Sequence, residues 1–312
     1  MSLPWILADG PLAPTIEALL SGQVNVLPWE VLGERDDRIA GVYTFGHPLV
    51  DASLLARLPQ LRVISNYGVG VDHIRLDDAT ARGIPVGNTP GILDGATADM
   101  GFALLLAAGR RLVEGDRYAR SADFTRYDPC CMLGREVHHA TLGIVGMGRI
   151  GEQVAQRARG FDMQVLYCNR RAKPEAEARL GVQRAAIDEL LASSDYVMLT
   201  CPLTEETRGL IGAAQLRLMK PTAILINIAR GPVVDTAALT TALQERWIYG
   251  AALDVTDPEP LPREHPLLAL DNLTIAPHLG SATEQTRQRM AEISVENLLR
   301  GLRDEPLLHR VV

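Results

Sequence analysis

Gly146-Met147-Gly148-Arg149-Ile150-Gly151 follows a short β-rich apolar run at 142–145 and opens a helical pattern at 150–159. A G-x-G-x-x-G sequence set between strand and helix is a dinucleotide-binding fingerprint, and each glycine has its own steric reason. Gly146 permits the tight turn, Gly148 lets backbone approach a pyrophosphate, and Gly151 lets helix and strand pack closely. The helix start then offers unpaired N–H donors to phosphate.

Outward from this turn, β-rich runs at 165–168, 196–200, 223–228, 250–255 and 273–276 alternate with helical patterns at 188–193 and 236–246. That alternation predicts a parallel sheet covered by helices. Residues 1–94 form a second alternating block, with strands expected at 5–7, 41–43, 61–65 and 85–87 and helices at 12–20 and 53–58. The fold class is therefore α/β, with two Rossmann-like domains whose parallel sheets are flanked by helices. One or two helices over 96–120 link the blocks, and 284–300 reads as a final helix.

The 312 residues carry a formal charge of −7, with 47% apolar and 22% charged positions, which suits two packed domains and excludes a disordered chain. Cations occur only as short pairs such as Arg110-Arg111, so nucleic acid is not an expected partner. The apolar run at 100–108 is bounded by Asp99 and Arg110, well short of the roughly 20 residues that cross a bilayer, so no membrane partner is expected. Residues 1–10 show no secretory pattern, and a cytoplasmic location is the expectation. Cys130, Cys131, Cys168 and Cys201 lack metal-ligand spacing and read as thiols in a reducing compartment, with no metal site.

About 20 residues past the fingerprint, an NAD site normally places an acidic residue against the ribose hydroxyls. Here the strand runs into Asn169, Arg170 and Arg171. Asn169 has no charge to repel a 2′-phosphate, and either arginine can grip one by forked, charge-assisted hydrogen bonds. NADP(H) is favoured, with NAD(H) as the alternative. The bland reading makes both arginines solvated turn residues.

Reaction at a carbonyl beside a carboxylate needs a cation, an acid/base and a group that tunes the acid. Candidates follow the later strands: Ala229-Arg230-Gly231, Asp257-Pro258-Glu259-Pro260 and Pro277-His278. In open α/β sheets, ligands bind outside the carboxyl ends of strands, which makes these positions neighbours.

Taken with the segments 58–65, Gly68-Val69-Gly70-Val71-Asp72, Thr97-Ala98-Asp99, Asn227-Ile228-Ala229-Arg230-Gly231, Asp254-Val255 and Pro277-His278-Leu279-Gly280, the order and spacing resemble the D-2-hydroxyacid dehydrogenases, particularly the glyoxylate and hydroxypyruvate reductase branch. The resemblance spans nearly the whole chain. It implies that Arg230 binds the substrate carboxylate, that His278 is the general acid in reduction, and that Glu259 pairs with His278. A carboxylate beside an imidazole favours the protonated ring and keeps a proton available. Val69 and Gly70 would present backbone N–H groups to the carboxylate. Thr97, Arg149, Ile150, Cys201, Pro202, Thr207, Ile228, Ala229, Asp254 and Gly280, with Arg230 and His278, match cofactor-contacting positions. Cys201 reads as a pocket wall rather than a nucleophile, and Asp254 as either a nicotinamide-side contact or a backbone cap.

The same resemblance implies a discontinuous arrangement: 1–94 as substrate-binding domain, 95–282 as dinucleotide-binding domain, 283–312 returning to the first, with the active-site cleft between them. It also implies a homodimer in which 120–136 forms an arm, although Phe124 stands where a tryptophan is common and Asp128-Pro129-Cys130-Cys131 is unusual. An intramolecular flap is the other reading of that stretch. Tyr43, Phe45, Tyr67 and the loop near His47 are expected to shape the distal pocket. Larger 2-keto acids (phosphohydroxypyruvate, 2-ketogluconate) are the related alternative, and a dinucleotide-sensing corepressor the alternative of another class, disfavoured by the lack of long tails.

Overall fold

Residues 2–46 and 48–312 are described by a computed structural model; His47 lies outside them. Contacts divide the chain into Met1–Leu93 with Thr283–Val312, and Asp94–Ala282.

In the first unit, β1 (Trp5–Ala8), β2 (Asn25–Pro28), β3 (Ile39–Thr44), β4 (Val63–Asn66) and β5 (Val86–Gly87) form an all-parallel sheet of order β2-β1-β3-β4-β5. Parallel neighbours require crossovers, and α1 (Pro14–Leu20), α2 (Ala52–Arg57) and α3 (Leu76–Ala81) supply them. Side chains alternate between the two faces: Ile6, Tyr43 and Val63 pack on one, Leu7, Val42 and Ile64 on the other. The helix Glu284–Leu302 lies on the first face, where Val295, Leu298 and Leu302 join the core. A Cβ on Gly41 would stand 2.9 Å from Leu298 Cδ1, so that glycine admits the helix to the sheet. Tyr43 is 0% exposed and its hydroxyl lies 2.7 Å from Ser294 Oγ. It is a core residue, which corrects the expectation that it shapes a substrate pocket: strand alternation turns it under the helix.

The second unit contains α4 (Asp94–Gly109), α5 (Leu112–Ala119), β6 (Thr141–Val145), α6 (Arg149–Ala158), β7 (Gln164–Cys168), α7 (Pro174–Leu180), β8 (Gln183–Arg184), α8 (Ile187–Ser193), β9 (Tyr196–Leu199), α9 (Ala213–Leu218), β10 (Ile224–Asn227), α10 (Thr236–Gln244), β11 (Gly250–Leu253) and β12 (Leu273–Ile275). Its seven strands are all parallel in the order β12-β11-β10-β9-β6-β7-β8. Strand order reverses at β6 and β9, the place where a doubly wound sheet opens a crevice for a dinucleotide. The segment 96–120 resolves into two helices because Arg111, at φ +53°, turns the chain between them. Residues 121–136 are neither helix nor strand; Tyr127 and Leu133 are 82% and 67% exposed, and Phe124 packs edge-on against Tyr118.

No helix among the described residues is long and apolar enough to cross a membrane. None of their His, Cys, Asp or Glu side chains group in a way that could hold a metal.

Candidate active site

The fingerprint turn sits at the carboxyl end of β6. Gly146 has φ +105°, and a Cβ there would stand 2.6 Å from the Cys201 amide nitrogen, so both conformation and space require glycine. A Cβ on Gly151 would run into the Gly146 carbonyl, which also accepts a 2.6 Å hydrogen bond from Thr200 Oγ1. Gly148 differs: a Cβ there meets no atom of the described residues within 4 Å. Protein packing therefore does not demand this glycine, and the space beside the start of α6 is open. Arg149, the first residue of α6, is exposed at the positive end of the helix, a placement that costs about 0.3–1 kcal/mol and is relieved by an anion.

At the end of β7, Asn169 Nδ2 donates to the Arg171 carbonyl at 3.2 Å. Arg170 and Arg171 are exposed and form no ion pair among the described residues. Across the switch point, the loop after β9 is closed by Thr207, whose hydroxyl donates to the Pro202 carbonyl at 2.7 Å and accepts the Thr204 amide at 2.8 Å. Cys201 begins this loop in the core, and burial pushes its thiol up to about 11. Ile150 is partly buried against the core. Ile228 points its Cδ1 towards α4, 2.8 Å from where a Cβ on Gly101 would be. Ala229 is buried beside it, so these two offer a ligand backbone more than side chain.

Three loops after β10, β11 and β12 meet. Asn227, buried at the end of β10, accepts the Ala229 amide at 3.0 Å and donates to the Arg230 carbonyl at 2.9 Å. Arg230 Nη1 donates to the Ala229 carbonyl at 2.9 Å. A Cβ on Gly231 would collide with the Thr256 carbonyl, so glycine lets the arginine loop lie against the next one. The Thr256 amide donates to Glu259 Oε2 at 3.2 Å, and Glu259 Oε1 lies 2.6 Å from His278 Nδ1. Against a carboxylate acceptor Nδ1 is the donor, which fixes the orientation of the imidazole ring.

His278 has φ +56°, uncommon for a residue with a Cβ. Its amide donates to the Asp254 carbonyl at 2.8 Å, and the next two amides, of Leu279 and Gly280, donate to the Asp254 carboxylate at 2.7 and 2.8 Å. Asp254 is 3% exposed; burial raises its pKa, and the two amides and His278 oppose that rise. Its geometry is that of a backbone cap holding the histidine loop. A Cβ on Gly280 would stand 3.0 Å from Asp254 Oδ2 and 3.3 Å from Thr97 Cγ2, so this glycine admits both neighbours.

In the first unit, the loop after β4 is held by its carbonyls. Asn66 Nδ2 donates to those of Gly68 and Gly70, Asn88 Nδ2 to that of Val69, and Thr89 Oγ1 to that of Tyr67, all at 2.9 Å. Phe45 and Gly46 donate their amides to the Asp9 carboxylate, and the Tyr67 hydroxyl donates to the Arg287 carbonyl at 3.1 Å.

Sequence reading missed the supporting residues Asn227, Thr200, Thr256, Asn66 and Asn88. Asn227 carried a signal: a polar residue closing the apolar strand Ile224–Asn227 must find partners when buried.

The family model for the D-isomer specific 2-hydroxyacid dehydrogenase NAD binding domain matches residues 102–280. The glyoxylate reductase of Korarchaeum cryptofilum (strain OPF8) is 51% identical over 257 residues, 82% of this chain and 77% of that protein. Among solved structures, a protein of Thermus thermophilus superposes with a TM-score of 0.89 at 44% identity, covering 99% of this chain and 100% of its own. An NADPH-dependent glyoxylate/hydroxypyruvate reductase from Sinorhizobium meliloti, in complex with NADP and malonate, gives a TM-score of 0.91 at 30% identity, covering 100% of this chain and 97% of its own.

Proposed function

The chain belongs to the D-isomer specific 2-hydroxyacid dehydrogenases, and from that premise we propose that it reduces a small 2-keto acid, glyoxylate or hydroxypyruvate, to the D-2-hydroxy acid with NADPH. The observation that carries this reading is the 2.6 Å contact between Glu259 Oε1 and His278 Nδ1, in loops adjoining that of Arg230. The reduced nicotinamide dinucleotide supplies the electron pair and hydrogen for the carbonyl carbon.

Gly146, Gly148, Arg149, Ile150 and Gly151 would hold the pyrophosphate, and Asn169, Arg170 and Arg171 the 2′-phosphate. Thr97, Cys201, Pro202, Thr207, Ile228, Ala229, Asp254 and Gly280 would line the remainder. Arg230 binds the substrate carboxylate through its planar fork, which a carboxylate matches with two parallel hydrogen bonds. Val69 and Gly70 are assigned as amide donors to a carboxylate; the side chains that bind this loop's carbonyls fix its orientation. His278 delivers the proton on Nε2 to the carbonyl oxygen, a role that contributes roughly 100- to 10,000-fold. Glu259 fixes the ring's tautomer and orientation. In this reading Met1–Leu93 with the C-terminal return serves as substrate-binding domain, and exposed Tyr127 and Leu133 belong to an arm that covers a second copy in a homodimer.

Loss of NADPH absorbance, and separately of NADH absorbance, with glyoxylate, hydroxypyruvate, phosphohydroxypyruvate and 2-ketogluconate tests the proposal. Fast NADPH oxidation with the two small acids is expected. Preference for a larger acid or for NADH overturns the corresponding part, and no turnover with any of them overturns the whole.

A further inference from the structure

We infer that Arg184 is a specificity-determining positioning residue: it holds the turn 169–171 in the conformation that receives a 2′-phosphate. The inference rests on the NADP(H) reading above and adds to it a residue outside the fingerprint. Arg184 belongs to the two-residue edge strand β8, in register with Tyr167 of β7. From there one nitrogen of its guanidinium donates to two successive carbonyls, Asn169 at 3.1 Å and Arg170 at 3.2 Å. The third carbonyl of the turn, that of Arg171, is bound by Asn169 Nδ2 at 3.2 Å. Beyond it, the Lys173 amide donates to the Tyr167 hydroxyl at 2.8 Å, and that hydroxyl in turn donates to Glu177.

The consequence is electrostatic as well as geometric. Carbonyl oxygens are the negative ends of the peptide dipoles, and a phosphate dianion in this turn would be repelled by any that faced it. All three are bound by side-chain donors, two of them by a cation. Arg170 and Arg171, exposed and outside any ion pair among the described residues, then project from a backbone that does not have to reorganise on binding. The Arg184 charge adds to the positive potential of the turn. A leucine at 184 would remove the charge and release both carbonyls while leaving the strand pairing, which is made by backbone.

The test is equilibrium binding of NADP+ and of NAD+ by titration calorimetry, with no substrate present. The wild type is expected to bind NADP+ more tightly. Arg184→Leu should weaken NADP+ binding about tenfold and leave NAD+ binding within about twofold, since only the former carries the 2′-phosphate. Arg184→Gln provides the same reading should the leucine variant fail to fold. An unchanged ratio of the two dissociation constants overturns the inference, and so does an equal loss for both cofactors, which a collapsed turn would give. Wild-type protein that binds NAD+ as tightly as NADP+ overturns instead the NADP(H) reading on which the inference stands.

Discussion

His278 Nδ1 and Glu259 Oε1 stand 2.6 Å apart although they lie 19 residues apart in sequence and on loops that follow different strands. Asp254, at the root of the Glu259 loop, holds the histidine loop beside it by accepting the amides of His278, Leu279 and Gly280, while the missing side chain of Gly231 lets the Arg230 loop lie against the Thr256 carbonyl. His278→Gln should therefore lower kcat by about 100- to 10,000-fold while the dissociation constant for NADP+ stays near that of the wild type. Glu259→Gln should cost less, because the amide oxygen can still accept from Nδ1–H and hold the ring in place. Steady-state rates beside cofactor titrations separate the two effects, and an unimpaired His278→Gln enzyme would remove the histidine from the mechanism.

Arg230 presents its guanidinium from a loop pinned by Asn227 at two backbone atoms. Arg230→Lys retains charge but loses the planar fork, and a charge-assisted hydrogen bond is worth about 1.5–3 kcal/mol. The expected result is a fall of roughly 10- to 100-fold in kcat/KM for the keto acid, most of it in KM. Little change in KM for the cofactor should accompany it. A variant with wild-type KM for glyoxylate would show that the carboxylate is bound elsewhere.

Most of the sheet was legible because β6, β9, β10 and β11 are buried runs of apolar residues bounded by polar turns, and burial on both faces leaves that mark. β2 and β8 were not. Asn25–Pro28 is a half-exposed edge strand that starts on asparagine and ends on proline, and Gln183–Arg184 has two residues, both exposed. Edge strands bury too little to declare themselves. The loops carrying Arg230, Glu259 and His278 were legible as strand ends with chemistry-bearing residues. Their supports were fainter: Asn227 shows only as a polar residue closing an apolar strand, and the Thr256 amide that holds Glu259 is a backbone atom that no sequence pattern reveals. Tyr43 misled for the opposite reason: an aromatic residue near a strand end suggests a pocket, and strand alternation sent it into the core.

Four thiols in three environments give a further expectation. Cys130 and Cys131 are exposed, whereas burial raises the pKa of half-buried Cys168 and pushes that of Cys201 up to about 11. At pH 7 the Cys201 thiol is thiolate in only about one molecule in ten thousand, and the thiolate is the reactive form. Native protein should thus release at most two equivalents of chromophore rapidly with Ellman's reagent, those of Cys130 and Cys131 as far as a second copy leaves the arm uncovered, rising to four on denaturation. Cys201→Ala should keep the wild-type kcat within a few-fold. Loss of turnover in that variant with cofactor binding intact would contradict its place as a wall of the pocket.

Asp195 ties together the amino ends of three strands, away from the loops that carry the chemistry. Its carboxylate accepts the Thr141 amide at 2.9 Å and Lys220 Nζ at 2.8 Å, and its carbonyl accepts the Ile224 amide at 3.0 Å. Burial acts to raise its pKa, but the Lys220 ammonium and the Thr141 amide outweigh burial and hold it below the ordinary value of 3.8. A carboxyl group whose pKa is depressed by folding stabilises the folded state above its unfolded-state pKa, and that contribution disappears as the pH falls through the folded-state value. With the ion pair about one-third exposed, solvent screening limits the contribution to about 1 kcal/mol. Asp195→Asn should accordingly lower the urea midpoint at pH 7 and leave kcat unchanged. The gap between variant and wild type should narrow only once the pH drops below about 3.8, the ordinary value for this side chain. A gap that stayed constant from pH 7 to pH 3 would mean that the charge of Asp195 contributes nothing, and that the loss comes from the altered hydrogen bonds alone.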